Sequence, residues 1–155
     1  MTPPTAPPID ALATLLDEEL AIYQRLETLA DAESAALRDD ALDDLSAIIA
    51  EQLALVDELA GREQARRGLV APCSTLSEVI ETWGASAAGL SERREVLILQ
   101  IERVRRANDR NRAIVAALLQ HHQDRLKLAL EERSLYGEDG QARPTALRSL
   151  VDRRV

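Results

Sequence analysis

The sequence predicts an all-α protein: an antiparallel helical bundle or coiled coil of three long helices plus a short one, with an extended C-terminal helix and disordered ends. Three observations carry this expectation. Leu and Ala supply 50 of the 155 residues, and both are strong helix formers. There are only three aromatic residues, Tyr23, Trp83 and Tyr136, and no Phe, too few to fill the pleated faces of a sandwich or barrel. Apolar residues also recur at alternating spacings of three and four over long stretches, as in a coiled-coil seam. At this length one domain is expected. It covers residues 9–135, between a leader (1–8) and a flexible tail (136–155).

Residues 1–8 hold four prolines and no apolar pattern, the composition of a disordered leader. The first helix is expected over about 9–37, with Asp10 as a candidate N-cap. Its stripe reads Leu12, Leu15/Leu16, Glu19, Ile22/Tyr23, Leu26, Leu29/Ala30, Glu33 and Leu37. Asp39 and Asp40 interrupt it, placed to favour the dipole of the helix that follows. That second helix is expected over about 40–67, with the stripe Leu42, Leu45, Ile48/Ile49, Gln52, Val56 and Leu59, and with Gly68 as its C′ residue. The short link forces the two helices to fold back antiparallel. A loop, LVAPCS, precedes a short helix over about 75–84. Thr75 and Glu78 have capping-box spacing, whereas Ser74 and Glu78 are one residue too far apart. Gly84 and Gly89 bracket a joint where a turn is expected.

The third long helix is expected over about 86–135. Its spacing alternates through Leu90, Arg94, Leu97, Ile101, Val104, Asn108, Asn111, Val115, Leu118 and His122, and neither Gly nor Pro interrupts residues 90–136. A helix of about 45 residues reaches roughly 68 Å, whereas helices of about 27 residues reach only about 40 Å. The bundle should therefore run out near residues 112–116. Beyond that point Val115, Leu118, Leu119, Leu126, Leu128, Ala129, Leu130 and Leu135 continue. An apolar helix without a home implies a partner helix. A second copy of the chain, or a fold-back near Asn108–Asn111, would also cover it.

Charge divides the chain. Residues 1–60 carry 14 acids and two bases, and residues 61–155 carry 13 acids and 17 bases, for −8 overall. The halves attract, as expected for an acidic hairpin packed on a more basic last helix. A net-negative chain is a poor nucleic-acid binder. No run of about 18 apolar residues exists to cross a membrane. The N-terminus lacks the regions of a signal peptide, and the single cysteine, Cys73, fits a reducing cytoplasm. Catalysis finds little support. His121 and His122 point about 100° apart on a helix and cannot chelate one metal. Cys73 has no positioned base, and the acid pairs sit on solvated faces. No enzyme activity, metal or cofactor is expected.

Two features stand out. Asn108 and Asn111 occupy successive seam positions, where polar residues fix register at a cost in stability. Leu135-Tyr136-Gly137-Glu-Asp-Gly140-Gln141 presents an aromatic residue on a glycine-hinged segment just past the helix. Arg106-Ala-Asn108-Asp-Arg-Asn111, an amphipathic helix of about 25 residues, and this closing segment together resemble the FlgN family, the flagellar type III export chaperones for hook-associated proteins. Leu37, Leu45, Ile49, Glu51 and Leu59, followed by the Arg-rich stretch 62–67, resemble that family's second helix. The resemblance implies a cytoplasmic chaperone binding the amphipathic C-terminal helices of unassembled hook-filament junction proteins. By analogy the cargo face is Val115, Leu118, Leu119, His122, Leu126, Ala129 and Leu130. Tyr136 aligns with the family tyrosine that docks on the cytoplasmic domain of the export gate, with Gly137 as its hinge. The export ATPase complex is a further partner on the same analogy. A homodimeric structural coiled coil without cargo is the competing expectation from the residues alone.

Overall fold

A computed structural model describes residues 8–135, with side chains described as far as Arg133. The fold is all-α, and no strand occurs among the described residues. Helix α1 runs Ile9–Asp39, α2 Leu42–Val70, α3 Leu76–Trp83 and α4 Ala88–Leu135, with a 3₁₀ turn at Gly84–Ala87 leading into α4. The chain divides into two compact units, residues 1–114 and residues 115–155.

In the first unit, the bonds between helices give the register. Arg25–Glu51, Glu18–Arg62 and Glu19–Arg66 pair α1 with α2, so these two helices run antiparallel. Arg93–Asp17 and Arg110–Asp31 pair α4 with α1 in the parallel sense. Acids of α1 thus meet arginines of both neighbours, as the charge division of the sequence anticipates. Most of these pairs are exposed and contribute little stability individually.

The apolar core lies in two groups. Leu12, Leu16, Val70, Val79, Ala87, Leu90 and Leu97 close the end where α3 sits. Ile22, Leu26, Leu59 and Val104 form the second. Between them lies Glu19, 2% exposed and bonded at 2.8 Å to Arg66 Nε. Burial pushes its carboxyl above the ordinary value, and the Arg66 bond and charge oppose that shift. Burial also raises the Tyr23 phenol, helped by the negative charges of Glu63 and Glu19.

Several boundaries differ from the sequence expectation. Asp10 is not the N-cap. Pro8 holds that position without a side-chain bond, and Asp10 lies in the first turn. Asp40 ends α1 in the left-handed conformation (φ 55°), its N–H reaching the Ala36 carbonyl, a geometry an Asp tolerates better than most residues. The acids in the first turn of α2 are Asp43 and Asp44 rather than Asp39 and Asp40. Gly68 is not a C′ residue, because α2 continues to Val70. It stops where Pro72 disfavours helical geometry at Ala71, whose ψ is 136°. Thr75 caps α3, accepting from Glu78 N–H at 3.2 Å, while the Glu78 carboxylate accepts from Ser74 N–H at 2.7 Å. The box therefore reaches back one residue past its cap.

The seam positions also differ. On α2 the inward residues are Leu45, Ile48, Gln52, Leu55 and Leu59, whereas Leu42, Ile49 and Val56 are exposed. On α4 the buried residues are Leu90, Leu97, Gln100, Val104, Ala107 and Asn111. The spacing is a heptad whose second position falls one residue earlier than Arg94, Ile101 and Asn108. Gln100 takes the inner place because its amide finds partners there, Glu27 Oε2 at 2.6 Å and the Tyr23 carbonyl. Ile101 is half-buried and Asn108 is exposed.

Candidate partner-binding face on the last helix

The second unit begins at Val115. From Val115 to Arg133 every described side chain is exposed. At about 100° per residue, Val115, Leu118, Leu119, His122, Leu126, Ala129 and Leu130 fall within one arc of about 120° on the helix surface. Asp124, Arg125, Lys127, Glu131 and Glu132 fall outside that arc, and Arg133 enters it only at the end. Leu126 is 62% exposed and Leu119 58%. The arc is thus an exposed face, apolar but for His122, of the kind that marks interaction surfaces. Its anchors follow the i, i+3, i+4, i+7 pattern by which a helix docks on another.

The polar residues on the other side make short-range contacts only. Gln120 Nε2 donates to Asp124 Oδ1 at 2.9 Å. The imidazole rings of His121 and His122 lie 6.1 Å apart and tilted by 57°. No group of three or more His, Cys, Asp or Glu side chains is placed to hold a metal ion among the described residues. Leu128, also exposed, lies on the far side of the helix from the arc. Tyr136 and Gly137 lie outside the described residues.

The two asparagines separate in role. Asn111, in the first unit, is 4% exposed and joins α4 to α1. Its Nδ2 donates to the Ala30 carbonyl at 2.9 Å and to Glu33 Oε2 at 3.0 Å, and its Oδ1 accepts from the Ser34 hydroxyl. Gln52 on α2 donates to the same Glu33 oxygen at 2.9 Å. One polar layer therefore ties all three long helices. Asn108 is no part of it. Ser34 and Gln52 complete the layer, and of these only Gln52 stands in the expected stripe. The signal for Ser34 is its smallness, which lets Asn111 approach the α1 backbone.

No helix among the described residues is long and apolar enough to cross a membrane. A family model described as FlgN protein matches residues 1–144. The chain belongs to the FlgN family. FlgN is a family of flagellar export chaperones and not an enzyme family. A flagellar export chaperone role follows in general terms. No curated protein and no solved structure matches the chain. The FlgN match spans the exposed face from Val115 to Leu130 and runs past it over the Leu135–Gln141 segment.

Proposed function

We propose that this FlgN-family chain works in the cytoplasm, without catalysis, as the chaperone of hook-associated proteins. Residues Val115, Leu118, Leu119, His122, Leu126, Ala129 and Leu130 receive the amphipathic C-terminal helix of the unassembled cargo. Tyr136, hinged at Gly137, docks the complex on the cytoplasmic domain of the export gate. The observation that carries the reading is the uninterrupted exposure of residues 115–133, with every large apolar side chain but Leu128 gathered on one face.

The energetics suit a carrier. Covering five large apolar side chains that are now partly exposed yields about 1–2 kcal/mol each. The gross gain, about 5–10 kcal/mol, is reduced by ordering and association costs. The net corresponds to roughly micromolar or weaker binding from this face alone, tight enough to hold a cargo helix and loose enough to release it. Covering the cargo's own apolar terminus also suppresses its premature assembly.

The test is calorimetric titration of the purified chain with a peptide of a hook-associated protein's C-terminal helix. Wild type should bind at a one-to-one ratio. Leu118→Asp/Leu126→Asp should abolish binding with the circular dichroism melt of the first unit unchanged. Tyr136→Ala should bind the peptide normally and lose the gate domain. Full peptide binding by the double variant overturns the cargo face, and unaltered gate binding by Tyr136→Ala overturns the docking role.

A further inference from the structure

The exposed side of α2 is a second apolar face, on the first unit and separate from the residues assigned to cargo. Leu42, Ile49, Leu53 and Val56 are 66%, 41%, 65% and 53% exposed. Their spacing of seven, four and three places them within an arc of about 60°. Asp57, Ala50, Asp43 and Ala54 follow in turn beside one edge of this arc. The inward arc, through Leu45, Gln52 and Leu59, adjoins this one, so the apolar surface of α2 is wider than the part the bundle covers.

The charge around this face is of one sign. Residues 39–61 contain seven acids and neither Lys nor Arg. Glu51 and Glu58 are paired with Arg25 and Arg62. Asp43, Asp44 and Asp57 are exposed and form no ion pair among the described residues. A second copy presenting its own α2 would bring acid against acid, which selects against pairing. The Arg-rich stretch of α4, residues 103–112, has Val104, Ala107 and Asn111 already buried in its own bundle, so a second copy cannot offer it as a free amphipathic helix.

We propose that the Leu42–Val56 face of α2 docks an amphipathic helix of another protein whose apolar stripe is flanked by Lys and Arg. Its apolar residues lie along Leu42, Ile49, Leu53 and Val56, and the basic residues on one flank meet Asp43 and Asp57, which share one edge of the stripe. The face lies on a different helix from the cargo residues.

The experiment uses the full chain and two synthetic 20-residue helical peptides with identical Leu stripes, one flanked by Lys and the other by Glu. Fluorescence anisotropy should show the Lys peptide binding about ten-fold or more tighter than the Glu peptide, with the difference shrinking in salt. Leu53→Ser/Val56→Ser should weaken the Lys peptide by about ten-fold. Asp43→Asn/Asp57→Asn should weaken it and flatten its salt dependence. Leu118→Asp/Leu126→Asp should bind it like wild type. Amide shifts in heteronuclear spectra should concentrate at residues 42–57. Equal binding of both peptides overturns the proposal, as does unchanged binding by the Leu53/Val56 variant. Shifts concentrated at 115–130 would place the peptide on the cargo face and equally overturn it. Sedimentation showing a dimer that Leu53→Ser/Val56→Ser dissociates would assign the α2 face to a second copy instead.

Discussion

Replacing Asn111 by Ala removes three hydrogen bonds from a site only 4% exposed to solvent. The Ser34 and Ala30 bonds are between neutral groups and contribute about 1 kcal/mol each, while the bond to the Glu33 carboxylate contributes about 1.5–3 kcal/mol. Glu33 is half-buried and recovers some hydration when its partner leaves, so the lower figure applies to it. The expected loss is about 3–4 kcal/mol, a large share of a small domain's stability. Asn108→Ala, three residues earlier and exposed, should change stability by less than about 0.5 kcal/mol. Urea titration followed by helical circular dichroism reads both. A double-mutant cycle adds the pairwise test. Ser34→Ala alone should cost about 1 kcal/mol, and almost nothing further once Asn111 is Ala, giving a coupling near 1 kcal/mol. A loss below about 1 kcal/mol for Asn111→Ala, or strict additivity with Ser34→Ala, refutes the reasoning.

Leu118→Asp/Leu126→Asp should leave the urea midpoint within about 0.5 kcal/mol of wild type, since both side chains are exposed, and a midpoint lowered by much more would show that they are packed. Burial holds the Glu19 carboxyl above its ordinary 4.5. Between that value and the folded one the native chain binds more protons than the unfolded chain, so stability falls as pH rises through this window. The favourable contribution is complete below the unfolded value and is lost above the folded one. Wild-type stability measured relative to Glu19→Gln should decline as pH rises from 4.5 and then level off, and parallel profiles for the two proteins would contradict this. Arg66→Met removes the cation that partly offsets burial. It should extend the same decline to higher pH, and a window that fails to move would show that Arg66 is not felt at Glu19.

The existence and order of the helices were legible because seam periodicity is a long-range signal averaged over many residues. The choice between adjacent positions was not. Continuing the alternating spacing of three and four selects Ile101 over Gln100, Val56 over Leu55 and Asn108 over Ala107. The bundle chooses instead by what each position meets. Gln100 faces acceptors on α1, and Ala107 is 1% exposed. Ser34 carries no apolar signal, and its role exists only because Asn111, far away in sequence, arrives opposite it. The end of α2 falls beyond Gly68 because Gly68 is a weak terminator beside Pro72, whose effect on its predecessor is steric and local. For the candidate site, helical geometry groups Val115, Leu118, Leu119, Leu126, Ala129 and Leu130 on one face, while the inclusion of His122 and the assignment to cargo rest on the family resemblance. The α2 face could not be read from the sequence, because Leu42, Ile49 and Val56 stand in the expected core stripe and Leu53 in none, and only the packing shows that α2 turns Leu45, Leu55 and Leu59 inward.

The plug formed by α3 sets an order of opening along the first unit. Val79 and Ala87 are fully buried beside Leu12 and Leu90, while the opposite end, around the Asp39–Leu42 turn, has few deeply buried side chains. Amide hydrogens near Leu16, Ile80 and Leu97 should therefore exchange slowly, through near-global unfolding, and those of residues 42–50 through local fraying. Time-resolved exchange would trace a gradient of protection rather than a single cooperative block. The part of the molecule that frays first is also the part that carries Leu42 and Ile49. Anything that settles on it must first arrest that motion, and protection acquired at these amides would then report occupancy as directly as a binding curve.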